Sequence, residues 1–181
     1  MKQILCIGDS NTYGYDPRSY FGSRYPKEIR WTGLLEKEGC KVINEGQNGL
    51  CVPASFQETA TSDLIIVMLG TNDLLQGKTA EKTAGKMKHY LQTLKEKTRS
   101  AILLICPPHM KYGEWVQTDV LIKESALLAE EYKKIADELQ IFFFDSEKWN
   151  IELVFDGVHF SEKGHAAFAK GLCSFLSSLS E

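Results

Sequence analysis

The stretch QILCIGDSNTYGYDP, residues 3–17, opens with an unbroken apolar run from Ile4 to Ile7. Gly8, Asp9 and Ser10 then interrupt it. A run with no polar alternation needs apolar cover on both faces, which is the situation of a strand inside a parallel sheet. Four further runs follow: Lys41–Asn44, Leu64–Leu69, Ala101–Cys106 and Ile141–Asp145. Each is short, rich in β-branched or aromatic residues, and has Gly, Pro or Asp at its end or within two residues of it.

Helical spacing fills the intervals. Arg30–Glu38 presents Trp31, Leu34 and Leu35 and stops before Gly39. Lys78–Thr98 places Ala80, Ala84, Met87, Leu91 and Leu94 at steps of three and four. Asp119–Gln140 repeats the pattern with Leu121, Leu128, Tyr132, Ile135 and Leu139. A last helix starts near Ser161, a suitable N-cap, and uses Phe168, Leu172 and Phe175. Strands alternating with helices predict an α/β fold, an open parallel sheet with helices on both faces. Ligands of such sheets bind beyond the carboxyl ends of the strands, and Ser10 stands at such an end.

Length predicts one domain over residues 1–181, since 181 residues fit a single hydrophobic core. A formal charge of −3 gives no electrostatic footprint for nucleic acid or an anionic membrane. The four-residue apolar run near the N-terminus is too short for a signal peptide or a spanning helix. The five cysteines are widely spaced and form no CxxC or zinc pattern, as expected of reduced thiols in a cytoplasmic protein. No metal or other cofactor is expected, and a homo-oligomer stays open.

Three more polar clusters belong to the same sheet edge: Asn44–Gly49 after the second strand, Gly70-Thr71-Asn72-Asp73 after the third, and Asp156-Gly157-Val158-His159 before the last helix. A nucleophilic serine needs a base, and the base needs an orienting group. Of the four histidines, only His159 has a carboxylate set by local spacing, three residues upstream at Asp156. His89 reads as a solvated helix residue, His109 as a loop residue and His165 as a packing or capping residue. Developing negative charge on a substrate carbonyl calls for donors. The Ser10 amide, the Gly49 amide and the Asn72 side chain are the candidates. Taken singly each cluster has an ordinary alternative: Gly-Asp-Ser as a turn, Asn72 as a helix cap, Asp156 as a cap of the final helix. Their joint occurrence carries the reading.

With these four blocks in order, the sequence resembles the SGNH hydrolases, also called GDSL esterases/lipases. GDSNTYGYDP, RWTGLLEK, VINEGQNG and VMLGTND are similar to the bacterial arylesterase/acyltransferase-like and lysophospholipase-like branch. Leu50-Cys51 stands where that branch often has Arg-Thr. The GxSxG elbow of ordinary lipases is absent. The resemblance implies a three-layer, flavodoxin-like fold with Ser10 as nucleophile, His159 as base and Asp156 as its orienter. It also implies an oxyanion hole of Ser10, Gly49 and Asn72. The expected activity is hydrolysis or transfer of the acyl groups of small-molecule esters through an acyl-enzyme, without insertion into a membrane. Tyr13, Leu50, Leu74, Trp115, Val158 and Phe160 are expected as walls of the substrate site from their loop positions. The alternatives are a carbohydrate O-deacetylase, a flavodoxin-like module binding an anion or flavin, and a partner-binding protein without activity.

Overall fold

The computed structural model describes residues 2–19, 21–57 and 61–179. Five strands form one parallel sheet: β1 (Gln3–Gly8), β2 (Lys41–Gly46), β3 (Leu64–Met68), β4 (Ala101–Cys106) and β5 (Phe142–Asp145). Their spatial order is β2-β1-β3-β4-β5. This is the flavodoxin-like doubly wound arrangement. The chain leaves β1 toward β2 and later resumes on the other side with β3. Between β1 and β3 lies the switch point, where such sheets open a crevice at their carboxyl ends.

Burial explains the strand sequences. β3 is buried at every residue, and β4 at all but Ala101. The edge strands β2 and β5 are only half-covered, so Lys41 and Glu45 remain exposed. β2 runs two residues beyond the expected Asn44, because its register with β1 persists to the pair Gly8–Gly46. β3 ends one residue early, and β5 starts one residue late.

On one face, α2 (Trp31–Lys37) and α6 (Glu162–Ser178) cover the sheet. Trp31, Phe160 and Phe168 are fully buried there, with Ile4, Cys6 and Ile66 from the strands. The predicted N-cap holds: Ser161 accepts a hydrogen bond from the Gly164 amide at 3.0 Å. On the other face lie α4 (Ala80–Lys97) and α5 (Asp119–Leu139), with Met87, Leu91, Leu128 and Tyr132 in the core. Two short helices, α1 (Ser10–Tyr13) and α3 (Thr71–Leu75), follow β1 and β3 directly. A 3₁₀ turn over Ser146–Trp149 follows β5.

The alternation breaks once. Among the described residues, none between β2 and β3 is helical. That segment lies over the α4 side of the sheet in irregular conformation. Val52 enters the core, and the Phe56 amide donates to Thr93 Oγ1 on α4 at 2.8 Å. Among the described residues no helix is long and apolar enough to cross a membrane.

Candidate active site

Ser10 is the first residue of α1, so its N–H has no acceptor within that short helix. Asp9 caps the helix, accepting from the Asn11 amide at 3.0 Å. Burial raises the Asp9 carboxyl to about 6. Ser10 Oγ is 2.9 Å from His159 Nε2, although the two residues are 149 positions apart. His159 Nδ1 is 2.7 Å from Asp156 Oδ2. All three side chains are nearly excluded from water, at 6%, 2% and 1% residue exposure for Ser10, His159 and Asp156.

The Asp156–His159 turn holds itself. Asp156 Oδ1 accepts the amides of Val158 and His159 at 2.8 and 2.9 Å. Burial pushes the Asp156 carboxyl up, but the His159 ring and these amides outweigh it and hold it below its ordinary value. A charged Asp156 fixes the proton on Nδ1, which leaves Nε2 to accept from the Ser10 hydroxyl. Gly157 allows the turn at φ +82°, and a Cβ there would lie 2.0 Å from the Lys111 carbonyl oxygen. Lys111 and Trp115 donate their amides to the carbonyls of Gly157 and Asp156 at 3.0 and 3.1 Å. This seats the Lys111–Val116 loop beside His159.

Asn11 joins the two halves, a role sequence reasoning missed. Its Nδ2 donates to the Val158 carbonyl at 3.1 Å, and its Oδ1 accepts the Phe160 amide at 2.9 Å. The side chain therefore grips the backbone on both sides of His159. The available signal was a buried-strand exit followed by Ser-Asn, a polar residue where the core begins.

Asn72 is the second residue of α3, and Gly70 is its N-cap, with no side-chain capping bond. Its Nδ2 donates to the Leu50 carbonyl at 3.2 Å, leaving its second N–H to be used elsewhere. Gly49 is exposed, at φ +74°, with open space where a Cβ would stand. The Gln47 amide donates to the Gly8 carbonyl at 3.0 Å, which brings this loop to the end of β1.

The model of the GDSL-like lipase/acylhydrolase family matches residues 6–167. The chain belongs to this family. It is a carboxylic ester hydrolase of the SGNH/GDSL type. Solved structures share the fold over nearly their whole length. "A putative arylesterase from Agrobacterium tumefaciens str. C58" is 29% identical, with 98% of this chain and 99% of that chain covered and a TM-score of 0.81. A carbohydrate acetylesterase family member from Sinorhizobium meliloti is 27% identical, with 97% of each chain covered and a TM-score of 0.81. The aryl esterase of M. smegmatis, at 24% identity, 99% and 100% coverage and a TM-score of 0.80, is a likeness of fold. A comparison with curated proteins gave no match. Membership of a hydrolase family displaces the flavin- or anion-binding module as a reading of the sheet edge.

The expected walls of this GDSL-like hydrolase fare unequally. Trp115 is half-exposed and meets the His159 ring edge-on, with centroids 4.9 Å apart. Leu50 is partly buried and, with Gln47, Ile7 and Phe56, lines a cavity of about 390 Å³ beneath the segment after β2. Leu74 is 1% exposed and lies in the core on the α4 side. Phe160 is 0% exposed and packs on Phe168 and His165. The side chain of Val158 is buried in the core as well. These three have almost no surface to offer a substrate, because Leu74 and Val158 pack into the core on the α4 side and Phe160 into the core on the α6 side. Tyr13 is turned away as well. Its ring lies under the Arg24 guanidinium at 4.3 Å, and its backbone crosses closely over Gly46. Tyr15 takes the place expected of it, with its ring 4.8 Å from that of His159. His165 is a packing residue between Tyr25 and Phe160. Among the described residues, no group of three or more His, Cys, Asp or Glu side chains is arranged to hold a metal ion.

Proposed function

We propose that this chain hydrolyses small esters through a Ser10–His159–Asp156 triad and an acyl-enzyme. The observation that carries the reading is the continuous contact from Ser10 Oγ through the imidazole to Asp156, at 2.9 and 2.7 Å. Ser10 Oγ attacks the ester carbonyl while His159 Nε2 takes its proton. Asp156, kept ionised by its amide donors, stabilises the imidazolium without accepting that proton. The carbonyl oxygen becomes an oxyanion, stabilised by the N–H groups of Ser10 and Gly49 and by the Asn72 amide. On collapse, the His159 proton passes to the leaving alcohol. Water then attacks the acyl carbonyl as His159 takes its proton; the Ser10 Oγ–acyl bond breaks, His159 returns the proton to Ser10 Oγ, and the acyl group leaves as the acid. All steps use groups of this chain, so the proposed reaction needs no cofactor. The five free thiols fit a reducing compartment, and we place the protein in the cytoplasm on that ground.

A carbohydrate O-deacetylase is the second reading. Trp115, which meets the His159 ring, is half-exposed, and Tyr112 and Phe155, near Trp115 and His159 in sequence, are more so, at 66% and 58%. Exposed aromatic faces suit stacking against sugar rings, and the similar protein from S. meliloti bears the name carbohydrate acetylesterase. One panel separates the two. p-Nitrophenyl acetate, butyrate, octanoate and palmitate are compared with acetylated saccharides, using wild type and Ser10→Ala. Short acyl chains are the expected optimum, because no long apolar insertion is available to form a lid. A serine-directed phosphonate should label Ser10 in intact-mass and peptide analysis. Labelling of another serine, or hydrolysis undiminished in Ser10→Ala, would refute the assignment.

A further inference from the structure

The loop that carries Gly49 closes a single turn of its own, the Leu50 amide donating to the Gln47 carbonyl at 3.2 Å, yet the proposed oxyanion hole requires the whole loop to be still. Upstream it is tied by the Gln47 amide to the Gly8 carbonyl, two residues before Ser10. Downstream, the Val52 amide donates to Asp73 Oδ2 at 2.7 Å. Asp73 is completely buried. Its Oδ1 receives Lys86 Nζ at 2.7 Å and Lys78 Nζ at 3.4 Å, from two lysines whose side chains are about one-third exposed. The adjacent Asn72 holds the Leu50 carbonyl. Leu50 and Val52 are thus gripped by consecutive residues of α3. Between them, the Cys51 thiol is raised by burial and by the charge of Asp73 beside it.

We infer that Asp73 is a positioning residue for the esterase reaction: it clips the Gly49–Val52 loop to α3 and so sets the Gly49 amide relative to Ser10 and Asn72. The inference rests on the oxyanion hole proposed above. The physical case is one of connectivity. Ser10 follows β1, Asn72 follows β3, and Gly49 lies on an irregular segment between two ties. The first tie ends on the Ser10 strand and the second on the Asn72 helix. Together they triangulate the three donors. A carboxylate suits the second tie, because a charged acceptor strengthens a bond to a backbone amide. The two lysines offset the cost of burying that charge. Losing the tie leaves the three donors chemically intact but lets one of them wander. That loss is felt where charge develops, in the chemical step, and little in ground-state binding.

The test compares wild type, Asp73→Ala and Asp73→Asn in two measurements. The first is kcat and KM on p-nitrophenyl acetate. Asp73→Ala should lose about 10²-fold in kcat, comparable to losing one oxyanion donor. Its KM should stay within about threefold. Asp73→Asn is nearly isosteric and keeps an acceptor for Val52, so it should lose about tenfold in kcat. The second is the rate of Cys51 alkylation by iodoacetamide, followed by peptide mass. It should rise several-fold in both variants, because the loop opens and the thiol loses its anionic neighbour. Should Asp73→Ala fail to fold, Asp73→Asn decides. Wild-type kcat, or a loss confined to KM, overturns the positioning role, as does unchanged Cys51 alkylation. If wild type itself has no esterase activity, the functional reading fails instead, and the alkylation rates still decide whether Asp73 holds the loop.

Discussion

Asn11→Leu removes the clip around His159 while nearly preserving side-chain volume. In the native protein Asn11 is buried and satisfies two buried backbone groups, the Val158 carbonyl and the Phe160 amide. Leucine leaves both without partners. Each unsatisfied buried group costs about 1–3 kcal/mol, so the pair costs about 2–6 kcal/mol. Burying leucine in place of the amide recovers part of that. For a chain of this size, 1 kcal/mol corresponds to about 2–4 °C in Tm, so a fall on the order of 10 °C is expected. The Ser10–His159 bond joins residues 149 apart in sequence, and Asn11 is the covalent neighbour of Ser10. Without its two bonds, α1 loses a tie that sets the height of the imidazole over the hydroxyl. A misplacement of about 1 Å can cost about 10²-fold in rate. Thermal unfolding and kcat on p-nitrophenyl acetate, the latter measured at a temperature where the variant is folded, test the stability loss and the misplacement separately. Asn11→Asp is the control. It keeps the acceptor for Phe160 but sets a carboxylate oxygen against the Val158 carbonyl, so it should also lose activity. An Asn11→Leu protein with a Tm within about 2 °C of wild type would refute the buried-bond argument. A lowered Tm with unchanged kcat would show that Asn11 supports the fold without aligning the triad.

Asn72→Ala should lower kcat by about 10²–10³ with a modest change in KM, and Asn72→Asp should be worse, since a carboxylate repels an oxyanion. An active, normally stable Asn72→Asp enzyme would remove Asn72 from the hole. His165 is lowered to about 3 by burial and by the nearby charge of Arg30, so the folded state resists protonation. The unfolded chain takes up that proton near pH 6.5, so stability is intact above 6.5 and drains as pH falls toward 3. Urea titrations from pH 7 to 4 should show this slope in wild type, and His165→Leu should flatten it; equal slopes in the two proteins would contradict it.

The strand–turn exits were legible because their causes are local. A buried strand must be apolar throughout, and a chain that turns sharply beside a site needs Gly, Asp or Asn. That is why β1, β3 and β4 lie within a residue or two of their expected bounds and why Asp156 meets His159 as their spacing suggests; Ser10 joins them through the shared carboxyl edge of the sheet. Asp156 and His159 are three residues apart, so one turn brings them together. The walls were not legible for the opposite reason. Tyr13 and Tyr15 are both aromatic, both just after Ser10, and nothing local says which one faces His159. The answer comes from Arg24, which takes the Tyr13 ring, and from Gly46, which admits the Tyr13 backbone against β2. Val158 and Phe160 flank a buried histidine, and only tertiary packing decides that both turn inward, Val158 into the core on the α4 and α5 side and Phe160 against α6.

The segment after β2 shows the same limit and gives it a mechanical meaning. Strand–helix alternation was the expectation throughout, and the Gly, Asn, Pro and Ser of this segment break it without saying where the chain runs. Its course is set by tertiary bonds: Gln47 to Gly8, Leu50 to Asn72, Val52 to Asp73 and Phe56 to Thr93. A crossover helix would have satisfied its own backbone. Apart from the Leu50–Gln47 turn, these tertiary bonds of its described residues go instead to β1, α3 and α4, which bound the switch point. The loop therefore reports the relative placement of β1 and α3, which are also the elements that carry Ser10 and Asn72. Any change that shifts α3 against β1 must move Gly49 with it. This coupling makes the oxyanion donors a single geometric unit and predicts that Asp73→Ala and Asn72→Ala act on it together. Their combined loss in kcat should fall short of the product of the separate losses, as expected of residues that share one structure. A fully multiplicative double variant would mean that the two side chains act independently, and that the loop is held by something other than α3.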